Sequence, residues 1–405
     1  MKPNILVAPA HYLFSDTIKS EVAWSYALVK YISSKVNSID VLAGVADMAH
    51  PLPRNVNLYP LFKFRSTLLL VEFLRHLFFY PLITIKAVKL MTKKKYQIIH
   101  HMLPLSYATF NPLVLITKLV NPQARVIMGP LQLPQIQKEE QDLNVVYLGK
   151  QEYSLMSKII YKATMLLSEA VKPLAAKMFE SADLVVCNSQ TSLLHYSRLF
   201  PNAKFHVIYT GIDKIDQPTN RPKIDSGKIK ILCAGVFSKR KGQVYLLKAM
   251  VKLVKTHPHI SLTLIGGGDQ DSVYRDFVAQ NNLSKYVKFT GQIPYSELLQ
   301  AYQNHHIFCL PTLSDTSPYV ILEAMSYGLP IVATDIGSIK EMVDKAGLIA
   351  PPGDFKALEI SLSKMISQPE LRFAMSKVGM ERVNRYYTWD KITDQWVNAY
   401  HKLLT

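Results

Sequence analysis

The segment IFCLPTLSDTSPYVILEAMSYGLPIVAT, residues 307–334, decides the fold of this chain. Two short apolar runs, Ile307–Leu310 and Ile331–Ala333, flank a longer stretch with a helical pattern, which Pro318 is well placed to open. Strand, helix and strand in this order are typical of a βαβ unit, whose parallel strands are buried on both faces. The segment therefore predicts a parallel sheet covered by helices.

The same alternation of short apolar runs and helical patterns extends along the chain in two sets. The first set of predicted strands is Ile5–Ala8, Ile39–Ala43, Ile98–Ile99, Arg125–Met128, Leu184–Asn188 and Val207–Tyr209. The second set is Ile229–Ala234, Ser261–Gly266, Val287–Phe289, Ile307–Leu310, Ile331–Ala333 and Leu348–Ile349. A polar segment, residues 213–226, separates them. We expect two doubly wound α/β domains, with a ligand site in the cleft that the carboxyl ends of their strands line.

The composition is that of a folded, basic protein. The 405 residues include 47 Lys and Arg against 30 Asp and Glu, which gives a formal net charge of +17, and 49% are hydrophobic. That is enough apolar material for two or three domains, and it excludes disorder for most of the chain.

The opening MKPNILVAPAHYLF is too brief for a secretory signal, so we expect a cytoplasmic protein. Cys187, Cys233 and Cys309 lie in apolar runs without metal-ligand spacing and are expected in the core.

Positive charge is concentrated in residues 62–95, which contain eight Lys and Arg residues and one acidic residue, Glu72, for a net charge of +7. The eight are Lys63, Arg65, Arg75, Lys86, Lys89, Lys93, Lys94 and Lys95. Several recur at helical spacing beside leucines and aromatic residues, which predicts a helix with one basic and one apolar face. Such a helix binds an anionic membrane surface, where each cation contributes about 1 kcal/mol. The membrane-surface candidates are Arg75, Lys86, Lys89, Lys93, Lys94 and Lys95.

Two other interpretations of this charge stay open. The stretch can form ordinary domain helices with a solvated basic rim, and so basic a protein can bind nucleic acid. Because the sequence has no RNP-like aromatic signature, zinc-finger spacing or helix-turn-helix pattern, we expect no nucleic-acid partner. The longest apolar stretch, residues 66–85, is interrupted by charged residues and Pro81, so a transmembrane span is not expected.

The segment that decides the fold also holds two candidate functional carboxylates. Asp315 and Glu323 lie eight positions apart, and the helix that Pro318 opens is expected to hold Glu323 in its first turn. Carboxylates in these places accept hydrogen bonds from sugar hydroxyls, and the backbone amides at a helix start bind phosphate.

A second segment, ILCAGVFSKRKG at residues 231–242, supplies cations. Gly235 follows a predicted strand, and Lys239, Arg240 and Lys241 directly precede a predicted helix. A cation in this position can neutralise the charge of a departing diphosphate.

Together these motifs resemble those of the family-four retaining glycosyltransferases of the GT-B fold, also called glycosyl transferases group 1. Gly235 to Gly242 match the family's Gly-x6-Lys-Gly turn, and Asp315 to Glu323, followed by AMSYGLPIVATDIGSIKE, match its Glu-x7-Glu element. Supporting matches are IGGGDQD (265–271), VKFTGQIP (287–294), FCLPTLSD (308–315), GLIAPPGD (347–354) and YYTWDKI (386–392).

The resemblance implies two Rossmann-like domains, residues 1–215 and 216–385, facing across a cleft, and a C-terminal helix, 386–405, that crosses back to the first domain. It implies that Lys241 holds the donor diphosphate, Glu323 the nucleotide ribose, and Asp315 the hydroxyls of the transferred sugar. The donor-binding residues that it implies are Gly235, Arg240, Lys241, Ile293, Ser317, Pro318, Tyr319, Val320 and Glu323. The donor is then a nucleotide diphosphate sugar, and no metal or other cofactor is expected.

This chain departs from the family pattern in three places. Val236 stands where the family usually has Arg, so Arg240 or Lys239 has to replace a phosphate cation. Asp315 replaces a Glu and is about one methylene shorter. The usual Gly-Gly after the first strand is absent. Two adjacent histidines, His100 and His101, follow the predicted strand YQII in a place that resembles that of the family's sugar-contacting His, and we favour His101 as the one that faces the cleft.

The expected activity is transfer of a hexosyl unit, with retention, to an acceptor hydroxyl. The basic, aromatic stretch favours a lipid-linked or envelope polysaccharide acceptor, at the inner face of the cytoplasmic membrane. Two alternatives stay open: a non-catalytic, membrane-associated binding protein of the same fold, and a sugar-nucleotide epimerase.

The sequence DQD at 269–271 mimics a metal-binding Asp-x-Asp, but after GGG it predicts a solvated turn and no metal.

Overall fold

The computed structural model describes residues 2–16, 21–63, 69–102, 110–133, 173–214 and 228–405. These residues divide into two compact units. The first contains the described residues up to Gly211 and also Trp389–Thr405, and the second contains the described residues of Ile212–Thr388. Arg65 and most of the segment 213–226 lie outside the described residues.

The first unit is built on one parallel sheet. Its strands are β1 (Asn4–Val7), β2 (Leu13–Ser15), β3 (Ser38–Asp47), β4 (Val56–Phe62), β5 (Ile98–His101), β6 (Arg125–Leu131), β7 (Leu184–Cys187) and β8 (Phe205–Val207). Helices α1 (Glu21–Ser33), α2 (Leu69–Met91), α3 (Leu113–Val120) and α4 (Gln190–Leu199) connect them. Residues 173–181 are also helical.

In this sheet the strands run in the spatial order β4, β3, β1, β5, β6, β7, β8, and β2 pairs with the last residues of β3. Ile5 of β1 pairs with Ile39 of β3 on one side and with Ile98 of β5 on the other. These residues are fully buried because helices cover both faces of a parallel sheet. Strands β2 and β4 were not predicted from the sequence.

The second unit has its own parallel sheet. Its strands are β9 (Ile229–Ala234), β10 (Ile260–Ile265), β11 (Val287–Gly291), β12 (Ile307–Leu310), β13 (Ile331–Thr334) and β14 (Gly347–Ala350). Its helices are α5 (Gln243–Thr256), α6 (Asp271–Gln280), α7 (Tyr295–Asn304), α8 (Tyr319–Ser326), α9 (Ile339–Val343), α10 (Phe355–Ser367) and α11 (Pro369–Tyr386). Short 3-10 turns cover Lys239–Lys241 and Asp344–Ala346.

The strand order of the second sheet is β11, β10, β9, β12, β13, β14. From β9 the chain therefore builds outward in one direction to β11 and then crosses back to β12 to build the other half. This is the doubly wound order, and its topological switch point lies between the carboxyl ends of β9 and β12. Any ligand site of this unit is expected in that crevice.

The last helix of the chain, α12 (Trp389–Leu404), belongs to the first unit. Its buried residues recur at helical spacing and include Trp389, Trp396 and Tyr400. The Trp24 ring of α1 lies 6.2 Å from the Trp389 ring and 6.1 Å from the Trp396 ring, measured between centroids. The two predicted doubly wound α/β domains, and a final helix that returns to the first of them, are therefore confirmed.

The three cysteines are free and buried, each in or beside a core strand, as expected. Burial raises the pKa of the Cys187 and Cys233 thiols to about 12. No described helix combines the length and the apolar character needed to cross a lipid bilayer.

Candidate functional site

The predicted residues Lys241 and Asp315 meet at the switch point of the second sheet. Lys241 ends the 3-10 turn that follows β9, and Asp315 lies in the loop that follows β12. The Lys241 ammonium group donates a hydrogen bond to Asp315 Oδ2, and only 15% and 11% of the two side chains are exposed. Strand order thus brings together a cation and a carboxylate that the sequence identified separately.

The backbone locks the two loops together at this point. The Leu313 amide donates to the Arg240 carbonyl oxygen at 2.8 Å, and the Thr312 hydroxyl donates to the same oxygen at 3.2 Å. Gly242, with a φ of +66°, closes the turn so tightly that an added Cβ would lie 2.1 Å from the Pro311 carbonyl oxygen. The family's turn glycine is therefore required here by both backbone conformation and space.

The other cations of the turn differ in what they contact. The Arg240 guanidinium donates from Nη1 to the Ser314 carbonyl oxygen at 3.0 Å, so Arg240 supports the Asp315 loop. Lys239 is exposed, and Val236 exposes 56% of its surface. Of the two replacements expected for the missing Arg at position 236, Lys239 has the side chain that is available to a phosphate.

Glu323 lies on α8, and both of its carboxylate oxygens accept hydrogen bonds from tyrosines of α7. The Tyr295 hydroxyl donates to Oε1 at 2.8 Å, and the Tyr302 hydroxyl donates to Oε2 at 3.0 Å. Because α8 begins at Tyr319, Glu323 is its fifth residue, and the expectation that it lies in the first turn is wrong. Pro318 is the extended N-cap residue of α8, and even with the helix starting at Tyr319 a turn of 3.6 residues ends before Glu323.

The remaining predicted donor-binding residues follow the ends of strands β9, β11 and β12. Pro318, Tyr319 and Val320 form the start of α8, whose first amides have no partner inside the helix. The Ser317 hydroxyl lies 3.4 Å from the Met342 sulfur. Gly235 follows β9 with a φ of +152°, and a Cβ added there would meet nothing within 4 Å, so its backbone faces open space. Ile293, between β11 and α7, is half-buried.

In the first unit, His100 and His101 both end β5 and are both buried, and their side chains contact different neighbours. His100 Nδ1 lies 2.8 Å from the Tyr400 hydroxyl, and the His100 ring stacks on Trp396 with 4.6 Å between centroids. His100 is therefore part of the contact with α12. Burial lowers the pKa of both histidines to about 3.

His101, the favoured candidate, contacts other residues. Its Nδ1 lies 3.5 Å from Asn111 Nδ2, and its ring is edge-on to Tyr80. His101 Nε2 is buried and has no hydrogen-bond partner among the described residues. The nitrogen that a ligand would have to satisfy is thus on His101 and not on His100.

The cations of the predicted membrane surface fall into two groups. The Arg75 guanidinium lies 4.7 Å from the Phe62 ring centroid, and the Lys94 ammonium lies 3.1 Å from Asp40 Oδ2, a carboxylate that is almost fully buried. Because an unpaired buried carboxylate is costly, Lys94 serves to pair with Asp40. Lys94 is therefore removed from the membrane-surface candidates. Lys86, Lys89, Lys93 and Lys95 are exposed.

The arrangement in the second unit defines what it can bind. A cationic turn follows β9, a carboxylate held by a lysine and the start of α8 follow β12, and a second carboxylate held by two tyrosines lies on α8. Cations and helix amides bind phosphate, and the carboxylates accept hydrogen bonds from hydroxyl groups. The crevice therefore suits a molecule that combines a diphosphate with several hydroxyls.

The two parallel sheets, the doubly wound second unit and the returning last helix define the GT-B fold. Sucrose-phosphate synthase from Thermosynechococcus elongatus has the same fold, with a TM-score of 0.69 and 19% identity over 100% of this chain and 99% of that one. Anabaena HepE in complex with UDP gives a TM-score of 0.67 and 17% identity over 99% and 100% of the two chains.

Residues 214–382 match the family described as glycosyl transferases group 1. The phosphatidyl-myo-inositol mannosyltransferase of Mycolicibacterium smegmatis is 28% identical over 164 residues, which are 40% of this chain and 42% of the relative. The glycogen synthase of Mycobacterium tuberculosis is 24% identical over 224 residues, 55% and 54% of the two chains. This chain thus spans about half the length of the curated relatives that it matches.

Two residues of this site were missed from the sequence. Tyr295 and Tyr302 lie seven positions apart on α7, a spacing that places both on one face of the helix. That spacing is the one signal that the sequence offers, and it does not show which element the face contacts.

Proposed function

We propose that this protein is a retaining glycosyltransferase that transfers a hexosyl unit from a nucleotide diphosphate sugar to an acceptor hydroxyl. The observation that carries the proposal is the pairing of Lys241 with Asp315 at the switch point, beside the start of α8. This is where a doubly wound sheet binds a nucleotide, and the cation and the carboxylate match the two halves of such a donor.

In the proposed reaction, the bond between the anomeric carbon and the diphosphate oxygen breaks while the acceptor oxygen bonds to that carbon, and the proton of the acceptor hydroxyl passes to the departing diphosphate. The Lys241 ammonium and the amides at the start of α8 stabilise the negative charge that develops on the leaving diphosphate. Lys239, which is exposed, supplies the second phosphate cation in place of the Arg that the family usually has at position 236. Since these groups provide positive charge, we expect turnover to persist in EDTA.

Asp315 has a second part in the proposal. Before the donor binds, its carboxylate neutralises Lys241. When the diphosphate takes the ammonium group, Asp315 Oδ2 becomes available to accept a hydrogen bond from a hydroxyl of the transferred sugar. The ion pair thus keeps both groups oriented until the donor replaces it.

We also propose that the enzyme works at an anionic membrane surface, on a lipid-linked or envelope polysaccharide acceptor. Phe78, Leu82 and Ile85 of α2 expose large parts of their side chains, at spacings of four and three residues. This apolar stripe continues along the helix into the exposed cations Lys86 and Lys89. A helix face of this kind binds at the lipid headgroup level, where apolar burial and charge attraction act together.

The test of the activity is turnover of a donor found by screening nucleotide sugars with membrane extract as acceptor. We expect Lys241→Ala and Glu323→Ala each to lower kcat/KM by about a hundredfold or more, as expected for loss of preorganised charge or donor contacts. Lys252→Ala, at an exposed position of α5, is the matched control and should have wild-type turnover. Unchanged turnover in both site variants would show that the site assignment is wrong. Proton NMR of the product gives its anomeric configuration.

A further inference from the structure

The Glu323 carboxylate is held from one side by a face of α7. Tyr295 is the first residue of this helix and Tyr302 the eighth, so the two side chains lie on one face, two turns apart. Each tyrosine donates to a different oxygen of the same carboxylate, at 2.8 and 3.0 Å. Two donors on two oxygens fix both the position and the plane of the carboxylate group.

The two tyrosines are held with different rigidity. Tyr302 is fully buried, and its ring stacks on Tyr327, with 5.7 Å between centroids and 20° between planes, and packs on Phe308 at 5.8 Å. Tyr295 exposes 38% of its surface at the start of the helix. Tyr302 is therefore a rigid donor, and Tyr295 can adjust when a ligand enters.

The electrostatics keep both tyrosines in the donating form. Burial raises the pKa of Tyr302 well above its ordinary value, and the charge of Glu323 raises it further. Burial also raises the pKa of Tyr295, again with Glu323 as the next cause. Both hydroxyls therefore stay protonated and donate to the Glu323 carboxylate.

We propose that Tyr302 and Tyr295 are positioning residues that orient Glu323 toward the ribose hydroxyls of the donor nucleotide. This inference rests on the proposed function and deepens it, because it names the part of the donor whose recognition depends on α7. A carboxylate can accept about four hydrogen bonds, two on each oxygen, so a tyrosine on each oxygen is compatible with a ligand diol. A carboxylate with a fixed plane discriminates between a ribose and a deoxyribose.

The experiment measures affinity by isothermal titration with UDP, GDP and ADP and with the 2′-deoxy and 3′-deoxy forms of the one that binds. In the wild type we expect removal of the contacted hydroxyl to weaken binding about tenfold, as for a hydrogen bond to a charged group. In Tyr302→Phe we expect most of this preference to disappear, because the ribonucleotide binds more weakly while the deoxy form binds nearly as before. Glu323→Ala should abolish the preference altogether.

Tyr327→Phe is the matched control, since it keeps the stacked ring and removes a hydroxyl from the same tyrosine cluster. It should retain the wild-type ratio of ribose to deoxyribose affinity. If Tyr302→Phe does not fold, Tyr295→Phe at the half-exposed position gives the same readout with a smaller expected change.

The outcomes separate this inference from the proposed function. A wild type that binds none of these nucleotides contradicts the proposed function itself. If the wild type prefers ribose and Tyr302→Phe and Tyr295→Phe keep that preference as fully as Tyr327→Phe does, the positioning role is overturned. The proposed donor site is not contradicted by that result.

Discussion

Lys241 and Glu323 depend on side chains that are distant in sequence. Lys241 pairs with a residue 74 positions later, and Glu323 accepts from tyrosines 28 and 21 positions earlier. The glycines, cations and carboxylates of the site could be predicted, because they form motifs with fixed local spacing. The tyrosines could not, because only the strand order of the folded sheet brings α7 beside α8.

The turn that carries Lys241 gives a first prediction, for Gly242→Ala. An alanine there must adopt a φ of +66° and place its Cβ 2.1 Å from the Pro311 carbonyl oxygen. Since this oxygen is backbone, the loop has to move, and we expect a loss of about 2 to 4 kcal/mol in the free energy of unfolding. Calorimetry would record it as a fall of several degrees or more in the Tm of the second unit.

Gly267→Ala is the control for that substitution. Its Cβ would lie 3.8 Å from Gln292 Cγ, an ordinary van der Waals distance. We expect a change within about 1 kcal/mol. Equal melting temperatures for the two variants would contradict the tight fit at Gly242.

Among the elements, α2 shows what a pattern can and cannot predict. Its amphipathic character follows from spacing, and Phe79, Ile83, Ala87 and Met91 form the buried face. The engagement of Lys94 by the buried Asp40 could not be read from the sequence, because Asp40 lies on β3. Strand β4 was missed for a related reason: Pro60 breaks the strand pattern, and it is accommodated because β4 pairs with β3 alone among the described strands.

Helix α2 and the residues after it give the second prediction, on membrane binding. We expect the protein to bind vesicles containing phosphatidylglycerol more tightly than vesicles of phosphatidylcholine alone at low salt, and this difference to shrink as salt rises. Replacing Lys89, Lys93 and Lys95 together by Gln should weaken binding to the anionic vesicles more than tenfold, at about 1 kcal/mol per cation. Sedimentation with vesicles measures both effects.

The matched control removes the same charge from another helix. Lys248, Lys252 and Lys255 are exposed on α5, and their triple Gln variant should bind the anionic vesicles like the wild type. If the two triple variants lose affinity equally, attraction is a property of the net charge and not of α2. If the wild type does not prefer anionic vesicles, the basic stretch is only a solvated surface.

In the molecule as a whole, two doubly wound units could be predicted because most of their parallel strands, though not β2 and β4, are separate short apolar runs. The return of the last helix to the first unit followed from family resemblance, and the structure supplies its physical cause. Trp389 and Trp396 pack on Trp24, and Tyr400 contacts His100, so α12 completes the core of the first unit. Periodicity alone predicts that α12 has an apolar face but not which unit it covers.

That core gives the third prediction, on pH. Burial lowers the pKa of His100 and His101 to about 3, against an ordinary value of about 6.5 for an unfolded chain. Between these values the unfolded chain binds more protons, so stability is fully present above about pH 6.5 and falls as the pH drops toward 3. Each histidine contributes at most about 1.4 kcal/mol per pH unit in this window.

The measurement is the Tm at pH 7.5 and at pH 5 for the wild type and for the double variant His100→Gln, His101→Gln. The double variant should lose less stability than the wild type over this interval, because its glutamines do not titrate. His401→Gln, at an exposed position of α12, should keep the wild-type pH dependence. A double variant with an unchanged loss would show that other groups cause the acid sensitivity.

Binding of a nucleoside diphosphate to the second unit tests the central claim most directly. Isothermal titration of UDP, GDP and ADP into the wild type and into Lys241→Ala distinguishes a protein that binds the donor nucleotide from one that has the fold but does not bind it. We predict saturable binding of at least one nucleotide at one site per chain, weakened tenfold or more in the variant, because a charge-assisted contact to phosphate is lost. Absence of binding to any of the three, or equal binding to wild type and variant, would contradict it.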